Sequence, residues 1–105
     1  MTGNGAWPKV VVIGLDCVPP ELLFGPWLDE LPTFKAVIEA GVHAPLRSIR
    51  PPITVPAWSA MMSGYNAAQL GVYGFRHRTV GTYTDRWFAY GHKLKRKRIF
   101  DTLSD

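Results

Sequence analysis

The chain reads as an α/β protein with a mostly parallel sheet, and three stretches lead to that reading. Residues 9–16, Lys-Val-Val-Val-Ile-Gly-Leu-Asp, are β-branched and lack polar alternation, the pattern of a strand buried on both faces. Residues 31–41 repeat apolar side chains at helical spacing and stop at a glycine. Residues 42–49 resemble a second strand. Strand, helix and strand in that order imply right-handed crossovers.

Composition sets the limits. A chain of 105 residues has room for one small domain, and a hydrophobic content of 47% argues against disorder. The formal charge of +4 is a local matter. Five of the twelve Lys and Arg residues fall in 92–98, His-Lys-Leu-Lys-Arg-Lys-Arg, and without them seven basic residues face eight acidic ones. Cys17 is the one cysteine and has no partner for an internal disulfide, so nothing points to an oxidising compartment. Residues 1–8 lack a charged segment followed by an apolar one; they read as a flexible N-terminus, not a signal peptide. The longest aliphatic run, Val10 to Ile13, is far too short to span a bilayer, and a soluble, cytoplasmic protein is expected.

In chain order, the first strand delivers Asp16 to its carboxyl end, the edge where open α/β sheets bind ligands. A carboxylate there suits a divalent cation, and equally suits capping of the next helix. Residues 18–28 form a weak helical segment with Leu22, Leu23 and Trp27, interrupted by Gly25-Pro26. Residues 32–40 make a better helix: Leu31, Phe34 and Ile38 share a face, Val37 lies beside them, and Gly41 is the stop. His43 on the second strand is isolated, which favours a structural or surface role over metal ligation.

The stretch 51–64, Pro-Pro-Ile-Thr-Val-Pro-Ala-Trp-Ser-Ala-Met-Met-Ser-Gly, carries the chemistry. Pro56 fits a first helical turn, which puts Thr54 at the N-cap of a helix that is apolar nearly all round. Thr54 is then a plain cap, or it is a hydroxyl held where backbone N–H groups and the helix dipole favour a phosphate or sulfate. Residues 65–78 are turn-rich, and Arg76, His77 and Arg78 read as a solvated loop or as the lining of an anion pocket. Residues 82–84 suggest an extended segment, and 99–105 start a helical pattern.

Taken together, Lys9-Val-Val-Val-Ile-Gly-Leu-Asp16, Leu31-Pro-Thr-Phe, Gly41-Val, Pro45-Leu-Arg-Ser, Pro52-Ile-Thr54-Val-Pro56-Ala-Trp-Ser, Ser63-Gly64 and Gly71-Val-Tyr-Gly-Phe75 form an ordered set. The set resembles the N-terminal part of the type I phosphodiesterase/nucleotide pyrophosphatase family, of the alkaline phosphatase superfamily, over about residues 8–105. The resemblance implies a partial alkaline-phosphatase-like sandwich, with residues 9–105 as the N-terminal portion of the domain. It implies a metal-dependent phosphohydrolase acting on a small phosphate ester through two divalent ions, usually zinc. Asp16 would be a metal ligand; Thr54 would be the nucleophile, also touching metal, and would form a covalent phospho-enzyme. The family's other Asp and His ligands lie later in a longer domain, so this chain reads as an incomplete and inactive fragment. Leu70 stands where the family's His-Gly motif has its histidine, and Phe75 where an asparagine helps hold phosphate.

The runner-up is a non-catalytic basic module using Lys93 to Arg98 to contact nucleic acid or acidic surfaces. Nucleic acid is not the expected partner, because that run has no interleaved aromatics for stacking. Two strands and three helices leave apolar surface and sheet edges uncovered, so self-association is expected.

Overall fold

The computed structural model describes residues 9–104; the segment read as a flexible N-terminus lies outside the described residues. The chain divides into two compact units, Met1–Pro45 and Leu46–Asp105.

In the first unit the expected central strand does not form. Residues 9–15 have no ladder partner among the described residues, and Val10, Val11, Val12 and Ile13 stay 79, 80, 68 and 79% exposed. A parallel strand needs neighbours for its amides and carbonyls and cover for both faces. Among residues 9–104 nothing supplies either, so the strand-like composition is left extended. Helix α1 (Pro20–Leu23) has proline at its first position, where a missing N–H costs nothing. It is one turn long, and Gly25-Pro26 ends it much as expected. A 3-10 turn, Leu28–Glu30, leads into α2 (Pro32–Ala40), whose span matches the periodicity. Leu31, Phe34 and Ile38 are half-buried, whereas Val37 is 66% exposed. Lys35 reaches back to Asp29 at 2.7 Å and holds that carboxyl below its usual range. Both groups are exposed, so water screens the pair and it adds little stability. Residues 42–49 form no strand among the described residues, and exposed His43 lies with its ring 5.0 Å from that of Phe24.

The second unit has a closed, if small, core. Helix α3 (Thr54–Met61) and helix α4 (Ala67–Leu70) precede a hairpin of β1 (Arg76–Arg78) and β2 (Arg86–Phe88), and α5 (Ile99–Leu103) follows. Leu70 and Val72 are completely enclosed, Ala60 nearly so, and Ile49, Trp87, Ala89 and Leu94 pack around them. The one sheet among the described residues is therefore two-stranded and antiparallel, not mostly parallel.

Helix α4 is short enough to depend on its ends. Asn66 and Gln69 exchange side-chain-to-amide hydrogen bonds of 3.0 and 3.1 Å, a reciprocal cap at the N-terminus. At the other end Gly71 takes φ +75°, and its amide bonds the Ala67 carbonyl at 2.9 Å. The Lys95 stem lies over Gly71, and a Cβ there would sit 2.9 Å from Lys95 Cε. Gly71→Ala meets both the left-handed penalty and that contact. A loss of about 1–2 kcal/mol is expected, read from the midpoint of urea unfolding.

Candidate active site

Thr54 opens α3, one position further in than the sequence suggested. Ile53 holds the N-cap place with φ −111° and ψ 140°, and its side chain makes no capping bond. The reason is the turn ahead of it: the Ile53 amide bonds the Pro51 carbonyl at 2.9 Å, fixing Ile53 in extended geometry and turning Thr54 into the helix. Thr54 is half-buried. Among the described residues its hydroxyl makes no hydrogen bond, so it does not act as a cap.

Its neighbours differ in this respect. The Ser59 hydroxyl donates to the Val55 carbonyl at 2.7 Å, and that of Ser63 to the Ser59 carbonyl at 2.6 Å. Both are committed to their own backbone. Thr54 is the hydroxyl of α3 that is not. Pro56 has no N–H and the Ala57 amide already bonds the Ile53 carbonyl at 3.0 Å, which leaves the Thr54 and Val55 amides open at this end. Two N–H groups and a hydroxyl thus belong to the electropositive end of one helix. Gly74 lies close by: a Cβ on it would be 3.9 Å from Ile53 Cδ1.

Asp16 belongs to the first unit, in an exposed turn directly before Cys17, which takes φ +60°. Pro19, not Asp16, holds the N-cap position of α1. Among the described residues no three His, Cys, Asp or Glu side chains gather where they could hold a metal. A catalytic zinc takes three protein ligands, so the residues present do not complete a centre for one ion, still less for two.

The two positions that differ from the family pattern have clear surroundings. Leu70 is completely enclosed in the core, where an imidazole would be stripped of water. Phe75 is 56% exposed just before β1. His77 of β1 packs flat on Trp87 at 4.3 Å, and its Nε2 lies 3.3 Å from the Tyr73 amide and 3.2 Å from the Gly74 carbonyl. It therefore serves the hairpin.

At the far end of α3, roughly 12 Å from Thr54 by helical rise, the run 95–98 borders a groove of about 700 Å³ with Met61, Met62 and Tyr65. Not all of its charge is available. Asp101 accepts from Arg98 Nε at 2.7 Å, Nη2 at 2.8 Å and the backbone amide at 2.8 Å. Those hydrogen bonds push the Asp101 carboxyl down to about 2 and raise the Arg98 guanidinium. Because the folded value lies below the unfolded one, this contribution is complete above about pH 4 and disappears as pH falls toward 2. The α5 amide resonances are expected to move through that window, and in Asp101→Asn to stay put.

Comparison with known proteins decides the family. A model for type I phosphodiesterase / nucleotide pyrophosphatase matches residues 10–104. The chain belongs to that family. Membership implies a hydrolase of the phosphodiesterase or pyrophosphatase type, and a small phosphate ester fits as substrate. No curated protein and no solved structure matches the chain. No helix among the described residues is long and apolar enough to cross a membrane.

Proposed function

We propose that the second unit carries the phosphoryl-accepting group of a metal-dependent phosphodiesterase or nucleotide pyrophosphatase, and that Thr54 is that group. One observation carries the reading: Ser59 within α3 and Ser63 just beyond it spend their hydroxyls on α3 carbonyls, whereas among the described residues that of Thr54 is uncommitted at the helix N-terminus. Thr54 Oγ would form a bond to phosphorus as the ester P–O bond breaks, and the leaving group departs with the electron pair. The Thr54 and Val55 amides would receive the non-bridging oxygens. Water then cleaves the threonyl phosphodiester, which still carries the substrate's second substituent, releasing a phosphate monoester and returning a proton to Thr54 Oγ.

A threonine hydroxyl is a poor nucleophile at neutral pH and needs an activating partner. None touches it among the described residues. Two divalent ions, zinc by the family resemblance, with Asp16 as one ligand and Thr54 as another, belong to the proposal. The remaining ligands would come from outside these residues. Hence residues 1–105 alone are expected to leave an aryl phosphodiester intact. The same chain in a reading frame that supplies the other Asp and His ligands is expected to cleave it and to lose activity on chelation. Mass spectrometry of the enzyme quenched during turnover of an aryl phosphodiester tests the assignment: an aryl-phosphoryl group on Thr54 supports it, and that group on any other residue overturns it. Self-association of the isolated chain through its unpaired extended segments is expected as well.

A further inference from the structure

Sequence put the basic charge in one run and found no aromatics beside it; the structure places aromatics beside a different set of cations. The second unit holds ten Lys and Arg residues against three acidic ones, and half of the ten lie outside 93–98. Three of them stand on the hairpin. The register pairs Arg76 with Phe88, His77 with Trp87 and Arg78 with Arg86. Alternation turns His77 and Trp87 inward and leaves Arg76, Arg78, Arg86 and Phe88 on the exposed face.

That face is unfavourable to the fold itself. Arg78 and Arg86 are direct cross-strand partners, and like charges in that position oppose pairing. None of the three arginines has an ion pair among the described residues. The Arg78 guanidinium instead lies over the Tyr83 ring, 5.5 Å from its centroid. The chain leaving β2 continues the face with rings: Phe88 and Tyr90 are 6.4 Å apart, and Tyr90 and His92 are stacked at 5.7 Å. Phe88 and Tyr90 remain 52 and 57% exposed. Guanidinium groups on a ribbon, continued by a row of open rings, match a strand of phosphates with unpaired bases.

We propose that the outer face of the β1–β2 hairpin binds single-stranded nucleic acid, its phosphates at Arg76, Arg78 and Arg86 and its bases against Phe88 and Tyr90. The like-charge pair is then a feature that a bound phosphate relieves. This surface does not depend on Thr54 chemistry, and Thr54→Ala is expected to bind as the parent does.

The test is fluorescence anisotropy with a labelled twelve-residue oligothymidylate and the 105-residue chain. Three phosphate contacts predict an affinity falling about 20-fold as salt rises from 50 to 200 mM. Arg86→Thr should weaken binding and flatten that salt dependence while raising the thermal midpoint, because it removes the repulsion. Tyr90→Ala should cost about tenfold in affinity. Opposite movements of stability and binding in Arg86→Thr are the expected signature. Three results would each overturn the proposal: Arg86→Thr binding as tightly as the parent, a loss seen with Lys95→Thr/Arg96→Thr but not with Arg86→Thr, or anionic lipid vesicles held in preference to the oligonucleotide. Concealment of the face in a dimer, seen as no binding by a chain that sediments as two copies, would do the same.

Discussion

Thr54→Ala, placed in a reading frame with the complete ligand set, is expected to reduce hydrolysis of bis(p-nitrophenyl) phosphate on the order of 10⁴-fold, in line with the loss of a nucleophile. Thr54→Ser should keep measurable turnover because it keeps the hydroxyl. The reading of Thr54 as a plain cap predicts something different: a stability loss of about 1 kcal/mol and no change in catalysis. Against the cap reading, Thr54 is the first residue inside α3 and its hydroxyl caps nothing among the described residues. Alanine is a good helix former and should seat there readily. A variant with an unchanged melting curve and lost turnover would fit the nucleophile; a destabilised variant with full activity would fit the cap.

Leu70→Ala should be the most damaging substitution to the second unit. Leu70 and Val72, with Pro56, are the largest side chains fully enclosed there, so each carries a large share of a small core. Truncation of an enclosed leucine costs about 2–5 kcal/mol, comparable with the whole stability of a marginal domain. Loss of a cooperative thermal transition by circular dichroism is the expected outcome. Leu70→Met, which nearly keeps the volume, should retain it.

What could be read from the sequence was what local chemistry decides. Helix α2 was legible because Pro32 opens it, Gly41 closes it and three apolar side chains share a face. Helix α3 was legible from Pro56 and its apolar body, but its start slipped by one residue. N-cap preference favours threonine over isoleucine, and the bond from the Ile53 amide to the Pro51 carbonyl outweighed it. Residues 9–16 have the composition of a central strand, yet composition cannot provide a partner strand. The hairpin escaped notice because its strands are three residues long and mostly polar outside. The one clue was alternation, with His77 and Trp87 between arginines and Phe88, and the turn glycine Gly81 between the strands.

Two backbone bonds hold the second unit shut around that hairpin: the Lys95 amide to the Leu70 carbonyl at 3.1 Å and the Ile99 amide to the Met62 carbonyl at 2.6 Å. Everything between α4 and the basic run is thereby one closed loop, and the entropy of closing a loop grows only with the logarithm of its length, about 0.6 kcal/mol per doubling. The tip at 79–85 is fastened by the Thr79 amide to the Asp85 carbonyl, and beyond that bond it touches no part of the core. A reporter peptide grafted at this tip should therefore leave the enclosed leucine and valine undisturbed.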